Sequence, residues 1–449
     1  LKPVSEQSPW AGRRLHFVGI GGAGMSGLAL VARALGAQVS GSDRVDTPYL
    51  APVRARGVDP AIGYAVANLP HGAEVVYSTA VPPENPERTA ARERGQREIH
   101  RGELLAEVSA LRRGIAVSGT HGKTTTAAMI VHVLRRCGLD PSFLVGGEIA
   151  VADGSPTNAG WGAGEWIVVE ADESDRSLLS LAPEIAVVTN VELDHHATYG
   201  SRLELEQTLR RFLAAAPRAV VWDRPELLAL RHGPVTTFDV PDPGLDPHGA
   251  RFAWRGLEVR LGVPGAHNAL NAAAALAACE LAGADPADAV AALADYRGVK
   301  RRFSLLGRGP GGTLVYDDYA HHPTEVAATL RAARTLRPRR LIAVFQPHLY
   351  SRTAALQRPF GAALALADLP VVLDVYPARE RAEDHPGVTG RMVAEAAADA
   401  AGGRRVCWLP GFDDAERFLR AELREGDLCV MLGAGDVDAL GRRLVAAGP

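Results

Sequence analysis

Ser118–Thr126, S-G-T-H-G-K-T-T-T, is the stretch on which the reading of the fold turns. Gly114–Val117 before it, G-I-A-V, is a short apolar run of strand type, and Ala127–Leu134 after it has the apolar spacing of a helix. A Gly-rich turn between a strand and a helix N-terminus leaves several backbone N–H groups unpaired and pointing one way, an anion cradle. Lys123 and Thr124 complete it for a nucleoside triphosphate with Mg²⁺. The general phosphate loop, G-x-x-x-x-G-K-[ST], is not matched, because position 117 is Val rather than Gly; this is the shorter G-T-H-G-K-T form. The chain has only three lysines, Lys2, Lys123 and Lys300, in an arginine-rich background. Lysine at 123 supplies a compact ammonium where a phosphate is to be met. The bland alternative is a solvated lysine on a Gly-rich turn.

The 449 residues predict two to four domains. Hydrophobic content of 47%, charged content of 22% and a formal net charge of −3 describe a globular chain with no basic surface for nucleic acid or membrane. Cys137, Cys279, Cys407 and Cys429 fit no C-x-x-C spacing and are expected to be reduced structural thiols in a cytoplasmic protein. Leu1–Pro9 is polar and carries no signal-peptide pattern. Leu261–Cys279 is uncharged, but His267, Asn268 and Asn271 within it point to a buried helix rather than a membrane span.

Outward from the loop the chain alternates strands and helices. Arg14–Ile20 reads as a strand running into Gly19-Ile20-Gly21-Gly22-Ala23-Gly24, a G-x-G-x-x-G turn, with Met25–Leu35 helical beyond it. A second strand, Ala37–Ser40, ends near Asp43, the distance at which dinucleotide-binding folds place a ribose-binding acid. The turn fits NAD or any other nucleotide diphosphate, and the region to about Val108 reads as Rossmann-like.

After the phosphate loop, the strand Trp166–Val169 ends in Glu170-Ala171-Asp172-Glu173-Ser174-Asp175, where a Mg²⁺ ligand is expected. Ile185–Thr189 ends in Asn190-Val191-Glu192-Leu193-Asp194-His195-His196, with His195 a metal or phosphate contact or a structural residue. Asp175 and Asp194 are assigned to solvation or loop hydrogen bonds. Asn268 and Asn271, three apart on the helix Gly265–Ala278, are caps or contacts to a purine edge. Gly298–Phe303 forms a cationic step, and Pro241–Gly249 reads as surface loop of the middle domain. Thr313–Tyr316, Arg340–Phe345, Val371–Val375 and Leu428–Leu432 are strand candidates of a third α/β region. Its strand ends carry Asp317–Pro323, Gln346–Arg352 and Gly433–Asp436, one binding face of an open sheet.

These motifs, in this order, resemble the Mur ligases of peptidoglycan synthesis. The likeness runs through G-I-G-G-A-G-M-S-G from Gly19, G-T-H-G-K-T-T-T from Gly119, E-A-D-E-S-D from Glu170 and D-H at Asp194. It continues with H-N-A-L-N-A-A-A-A from His267, R-R-F from Arg301, D-D-Y-A-H-H-P-T-E from Asp317 and F-Q-P-H from Phe345. The resemblance implies three α/β domains: a Rossmann-like UDP-binding domain at 1–107, a phosphate-loop ATP-binding domain at 108–303, and a Rossmann-like domain at 304–449 that closes over ATP and amino acid. It implies ATP and Mg²⁺ as cofactors, UDP-N-acetylmuramate and L-alanine as substrates, and a monomer or weak homodimer.

Carried over by motif, Gly19, Gly21, Gly22, Gly24, Met25, Ser26 and Asp43 would hold the UDP-sugar. Gly119, Thr120, His121, Gly122, Lys123, Thr124 and Thr125 would cradle the ATP phosphates, with Thr124, Glu170 and His195 on Mg²⁺. Asn268 and Asn271 would lie near adenine, and Arg302 and Asp317 near the nucleotide's phosphates and ribose. Tyr319, His348 and Arg352 would face alanine and the substrate carboxylate, giving Lys123, Glu170, His195, His348 and Arg352 as the catalytic set.

Two departures stand out. The family's D-H-x-D is Asp194-His195-His196-Ala197 here, and Leu349 replaces an arginine in the family's F-Q-P-H-R-Y-T-R-T. Sister enzymes hold a second Mg²⁺ with a carbamylated lysine, yet no lysine lies between Thr124 and Val299. Three rival readings remain: a nicotinamide-dependent dehydrogenase, which leaves Gly119–Thr126 unexplained; a ligase attaching a preformed peptide to the same UDP-sugar; and a non-catalytic nucleotide-binding regulator.

Overall fold

Arg14–Val18 is the middle strand of a five-stranded parallel sheet, in the order Ala61–Ile62, Gln38–Asp43, Arg14–Val18, Glu74–Tyr77, Glu98–His100. Leu15, Phe17 and Val18 are wholly buried, as expected of a parallel strand covered on both faces by helices. The computed structural model describes residues 9–150, 156–194 and 198–446.

Arg113–Ser118 is central in the second sheet, ordered Thr236–Phe238, Arg218–Trp222, Ile185–Val188, Arg113–Ser118, Trp166–Glu170, Ser142–Ala150, Pro156–Gly160. Its two neighbours run parallel to it, so their C-terminal ends, Glu170 and Val188, flank the phosphate loop on either side. One continuous core, from Trp10 to Leu230, joins the two sheets: Met25 and Leu28 of the first helix belong to the same cluster as Leu144, Ala159 and Ile167. The helix Lys123–Arg136 buries ten of its residues, including Thr124, Thr125 and Thr126, so the loop is set on a rigid element.

The chain divides into two compact units, the first Leu1–Asp239 with Asn271–Ala292 and the second Val240–Leu270 with Leu293–Pro449. The late segment of the first unit is anchored by His132 Nε2, 2.9 Å from the Ala292 carbonyl, and by Cys279 Sγ against the Ile130 carbonyl.

In the second unit, a six-stranded sheet has the order Ser304–Arg308, Leu314–Asp318, Asp427–Leu432, Arg340–Phe345, Leu369–Val372, Cys407–Trp408. Alternation along its central strands is strict. Leu341, Ala343 and Phe345 join one core with Val430 and Leu432, while Ile342 and Val344 join the other with Cys429 and Met431. Truncating a wholly buried side chain such as Phe345 would cost about 3–5 kcal/mol.

Pro241–Gly249 is not simply loop. Gly244–Asp246 is a strand pairing antiparallel with Gly249–Trp254, which pairs in turn with Leu257–Leu261. The turn between the first two is closed by the His248 N–H donating to Asp246 Oδ1 at 2.7 Å, so the Pro, Gly and Asp that suggested a loop make a hairpin. The alternating burial of Phe252, Trp254 and Val259 shows a ribbon with one packed face.

Candidate active site

The phosphate loop is built as its residues predict. Gly122 has φ of +81°, and a Cβ there would run into Asn271 Oδ1, so this position needs glycine for both conformation and space. Thr120 Oγ1 donates to the Glu192 carbonyl at 2.9 Å, and the His121 N–H to Asn190 Oδ1 at 2.8 Å, tying the loop to the end of the neighbouring strand. The His121 ring faces Glu192 at 3.3 Å. The first backbone N–H groups of the helix beginning at Lys123 have no acceptor inside that helix, which leaves them to an anion.

Lys123 Nζ donates to the Gly119 carbonyl at 2.8 Å and to Glu173 Oε1 at 2.9 Å. Burial works against its charge, but Glu173, Asp172 and Glu170 outweigh it and hold its pKa above the ordinary lysine value. The Asp172 carboxyl, also penalised by burial, is held well below the usual range by Lys123 and Arg101. Thr124 Oγ1 donates to Glu170 Oε2 at 2.9 Å, and the Gly146 N–H reaches the same oxygen at 2.7 Å. A hydroxyl and a carboxylate side by side, within a cluster where Glu170, Asp172, Glu173 and Asp175 outnumber Lys123 and Arg101, suit a hard divalent cation such as Mg²⁺. His195, the third expected ligand, lies outside the described residues.

Asp175 is not merely solvated. Its Oδ2 accepts from Arg101 Nη2 at 2.6 Å, and the same nitrogen reaches Asp172 Oδ2 at 3.0 Å. Asp194 is buried, at 3% exposure, so solvation does not describe it either.

At the N-terminal turn, Asp43 is turned toward the loop itself: Oδ2 accepts the Gly21 N–H at 2.7 Å and Oδ1 the Val45 N–H at 3.3 Å. These two bonds brace the Gly-rich turn. Ser26 Oγ donates to the Ala23 carbonyl at 3.0 Å and meets Asn158 Nδ2 at 3.1 Å, and Met25 is buried.

Asn268 Nδ2 donates to the Pro264 carbonyl at 2.7 Å, a local bond at the start of the helix Ala266–Leu281. Asn271 is the one that approaches the loop, at Gly122.

In the second unit, Arg301 Nε donates to Asp317 Oδ2 at 3.2 Å, and its Nη2 reaches the Gly433 and Gly435 carbonyls at 3.1 Å. Asp317 Oδ1 is buried without a hydrogen-bond partner among the described residues, and burial raises this carboxyl's pKa despite Arg301. Arg302 instead faces Glu325 at 3.9 Å and the Tyr319 ring at 5.3 Å. His348 and Arg352 are brought into direct contact, and Tyr319 reaches them through His321: ring centroids step 5.4 Å from Tyr319 to His321 and 6.0 Å from His321 to His348. Tyr376 stacks on the other side of His348 at 5.9 Å. Leu349, with φ of +68° and 6% exposure, caps the helix Tyr350–Leu364 and is packed inward, so the departure puts a buried apolar side chain where the family has a cation.

Sequence reasoning missed Arg101, Glu173, Arg301, His321 and Tyr376. Glu173, Arg301 and His321 carried a signal through the E-A-D-E-S-D, R-R-F and D-D-Y-A-H-H-P motifs, whereas Arg101 and Tyr376 carried none.

A Gly-rich turn and a Gly-rich loop, each following a parallel strand of the first unit, with acids at the next strand end, suit a nucleotide-dependent enzyme. Family models match in three consecutive blocks: "Mur ligase family, catalytic domain" over residues 14–113, "Mur ligase middle domain" over 117–279, and "Mur ligase, glutamate ligase domain" over 301–435. The chain belongs to the Mur ligase family.

It is similar to the UDP-N-acetylmuramate–L-alanine ligase of Kineococcus radiotolerans, 45% identical over 95% of this chain and 94% of that one. The corresponding ligase of Rubrobacter xylanophilus is 43% identical over 96% of this chain and 99% of its own length. Among solved structures, the UDP-N-acetylmuramate–alanine ligase of Thermotoga maritima matches with a TM-score of 0.83 and 28% identity, covering 97% of this chain and 98% of that one. A murein peptide ligase of Psychrobacter arcticus matches over the same shares with a TM-score of 0.73 and 26% identity.

Proposed function

We propose that this chain joins the amine of L-alanine to the lactyl carboxylate of UDP-N-acetylmuramate, converting ATP to ADP and phosphate, in peptidoglycan precursor synthesis. The observation that carries the reading is likeness over nearly the whole chain to ligases of that name, together with a phosphate loop whose Lys123 and Thr124 meet the strand-end acids.

A carboxylate does not accept an amine directly, because oxide would have to leave. Transfer of the γ-phosphoryl group to the carboxylate oxygen gives an acyl phosphate; the alanine amine adds to its carbonyl carbon, and phosphate leaves as the amide forms. Two anions must meet for the first step, and the Lys123 ammonium, paired with Glu173 at 2.9 Å, would offset their repulsion. The loop N–H groups orient the phosphates, and Glu170 orients the Thr124 hydroxyl. Thr124 and Glu170 would hold Mg²⁺, which when bound supplies charge neutralisation at the transferring phosphoryl group. No nucleophilic Ser or Cys is required, because the activated group rides on the substrate.

On this reading residues 1–107 hold the UDP-sugar, 108–303 hold ATP, and 304–449 carry Tyr319, His348 and Arg352 for alanine. Phosphate release measured with ATP, Mg²⁺ and UDP-N-acetylmuramate across a panel of amino acids and a tripeptide tests it. L-Alanine is expected to support turnover. Release with the tripeptide alone would instead assign the peptide-attaching activity.

A further inference from the structure

Arg101 stands at the junction of the two phosphate sites in the first unit. It follows directly on the strand Glu98–His100 and opens the helix Arg101–Ser109. Its Nη2 holds Asp175 at 2.6 Å and Asp172 at 3.0 Å, both from the loop after the strand Trp166–Glu170. Its Nη1 lies 3.3 Å from where a Cβ on Gly24 would sit, at the start of the helix behind the diphosphate turn. One arm of the planar fork thus holds the acidic loop while the other lies against the backbone at Gly24.

The placement is rigid. Gly102 N–H donates to His100 Nδ1 at 3.2 Å, and a Cβ on Gly102 would come within 2.7 Å of Ser177 Cβ, so helix and acidic loop are in close contact. Asp172 also takes the Ser174 N–H at 2.9 Å, and Asp175 the Ser177 N–H at 3.0 Å, so both carboxylates are oriented by their own turns. Asp172 feels Lys123 and Arg101 together, which makes it the electrostatic link between the turn and the phosphate loop.

We propose that Arg101 is a positioning residue that ties the diphosphate turn to the phosphate loop, one guanidinium nitrogen holding Asp172 and Asp175 and the other facing the anion received at Gly21–Gly24. This rests on the reading of that turn as the UDP-sugar site. An anion on the turn fixes Arg101, Arg101 fixes Asp172, and Asp172 sets the field at Lys123. Each ligand therefore tightens binding of the other, and by thermodynamic linkage the two effects are equal. Lysine cannot replace arginine here, since a single ammonium cannot span both acids and the turn.

Calorimetric titration of the full chain with UDP-N-acetylmuramate, with and without a non-hydrolysable ATP analogue and Mg²⁺, reads both quantities. Arg101→Ala is expected to weaken UDP-sugar binding by about 10- to 100-fold, as for loss of a charge-assisted contact, and to abolish the mutual effect. Arg101→Lys should recover part of the affinity but not the mutual effect. Gly24→Ala, which leaves the ion pairs of Nη2 in place and sets a methyl against Nη1, should weaken the UDP-sugar alone and guards against a folding defect in the first variant. Unchanged UDP-sugar affinity in Arg101→Ala or Gly24→Ala, or a wild-type chain in which the two ligands bind independently, would overturn the proposal. A wild-type chain that binds the ATP analogue but no UDP-N-acetylmuramate would overturn the functional reading instead.

Discussion

Arg352 Nη1 lies 3.1 Å from His348 Nδ1, one helical turn earlier in the chain. A guanidinium can only donate, so Nδ1 is the acceptor and the imidazole proton sits on Nε2. Tyr376, stacked at 13° to the ring, holds that orientation, and the Tyr376 N–H donating to the Pro347 carbonyl at 2.8 Å fixes the two segments together. His348 is therefore a neutral donor through Nε2, suited to an oxyanion rather than to taking a proton through Nδ1.

The tautomer makes a pair of substitutions diagnostic. His348→Gln carries an amide N–H near the Nε2 position and should keep roughly a tenth or more of the turnover. His348→Asn places its amide near Nδ1 and should lose about 10²-fold or more, as for removal of an oxyanion donor. Steady-state rates with varied alanine decide it; equal losses in both variants would rule out an Nε2 donor.

Lys123→Ala should lower turnover by about 10²–10³-fold or more, because a preorganised charge at the transferring phosphoryl group is lost. UDP-N-acetylmuramate binding, measured by calorimetry, should survive. Near-normal turnover in this variant would remove the centre of the proposed mechanism.

With no lysine between Thr124 and Val299, no carbamylated side chain is available in that stretch to hold a second metal. Activity should be indifferent to added bicarbonate. His195→Ala should raise the Mg²⁺ concentration needed for half-maximal rate; a Mg²⁺ dependence equal to that of the wild type would take His195 out of the metal site.

Burial holds the His267 imidazole down at about 4, against an ordinary 6.5, with Glu325 opposing only in part. The unfolded chain therefore binds a proton at this position where the folded chain does not, between about pH 6.5 and 4. Its contribution to stability is present above that window and is lost as pH falls through it. Asp318, pushed up to about 7 by burial, acts in the opposite sense, so the comparison must be made between wild type and His267→Gln. Thermal unfolding across pH 4–7 should show a shallower loss on the acid side in the variant; parallel curves would mean that His267 does not titrate with folding.

What the sequence revealed was local. G-T-H-G-K-T declares a loop because its glycines, lysine and threonine do their work within a few residues, and the central strands declare themselves by unbroken apolar runs. Arg101 was invisible because its partner Asp175 is 74 residues away, and nothing in H-R-G-E-L distinguishes it from a surface arginine. Asp43 was legible as an acid at the right distance, but not as one turned back onto Gly21. The hairpin around Asp246–Gly249 was hidden because the residues that make a tight turn are also those of a loop.

The first unit is discontinuous, since residues 271–292 return to it after the chain has spent residues 240–270 in the second. During synthesis, the helix that begins at Lys123 emerges long before the segment whose Ala292 carbonyl meets His132 and whose Cys279 lies against Ile130. Domains usually fold as they leave the ribosome, N-terminal first. Here the nucleotide-binding half must wait with one flank open until residue 292 has been made, so its period of exposure to misassembly is set by chain growth rather than by its own folding rate.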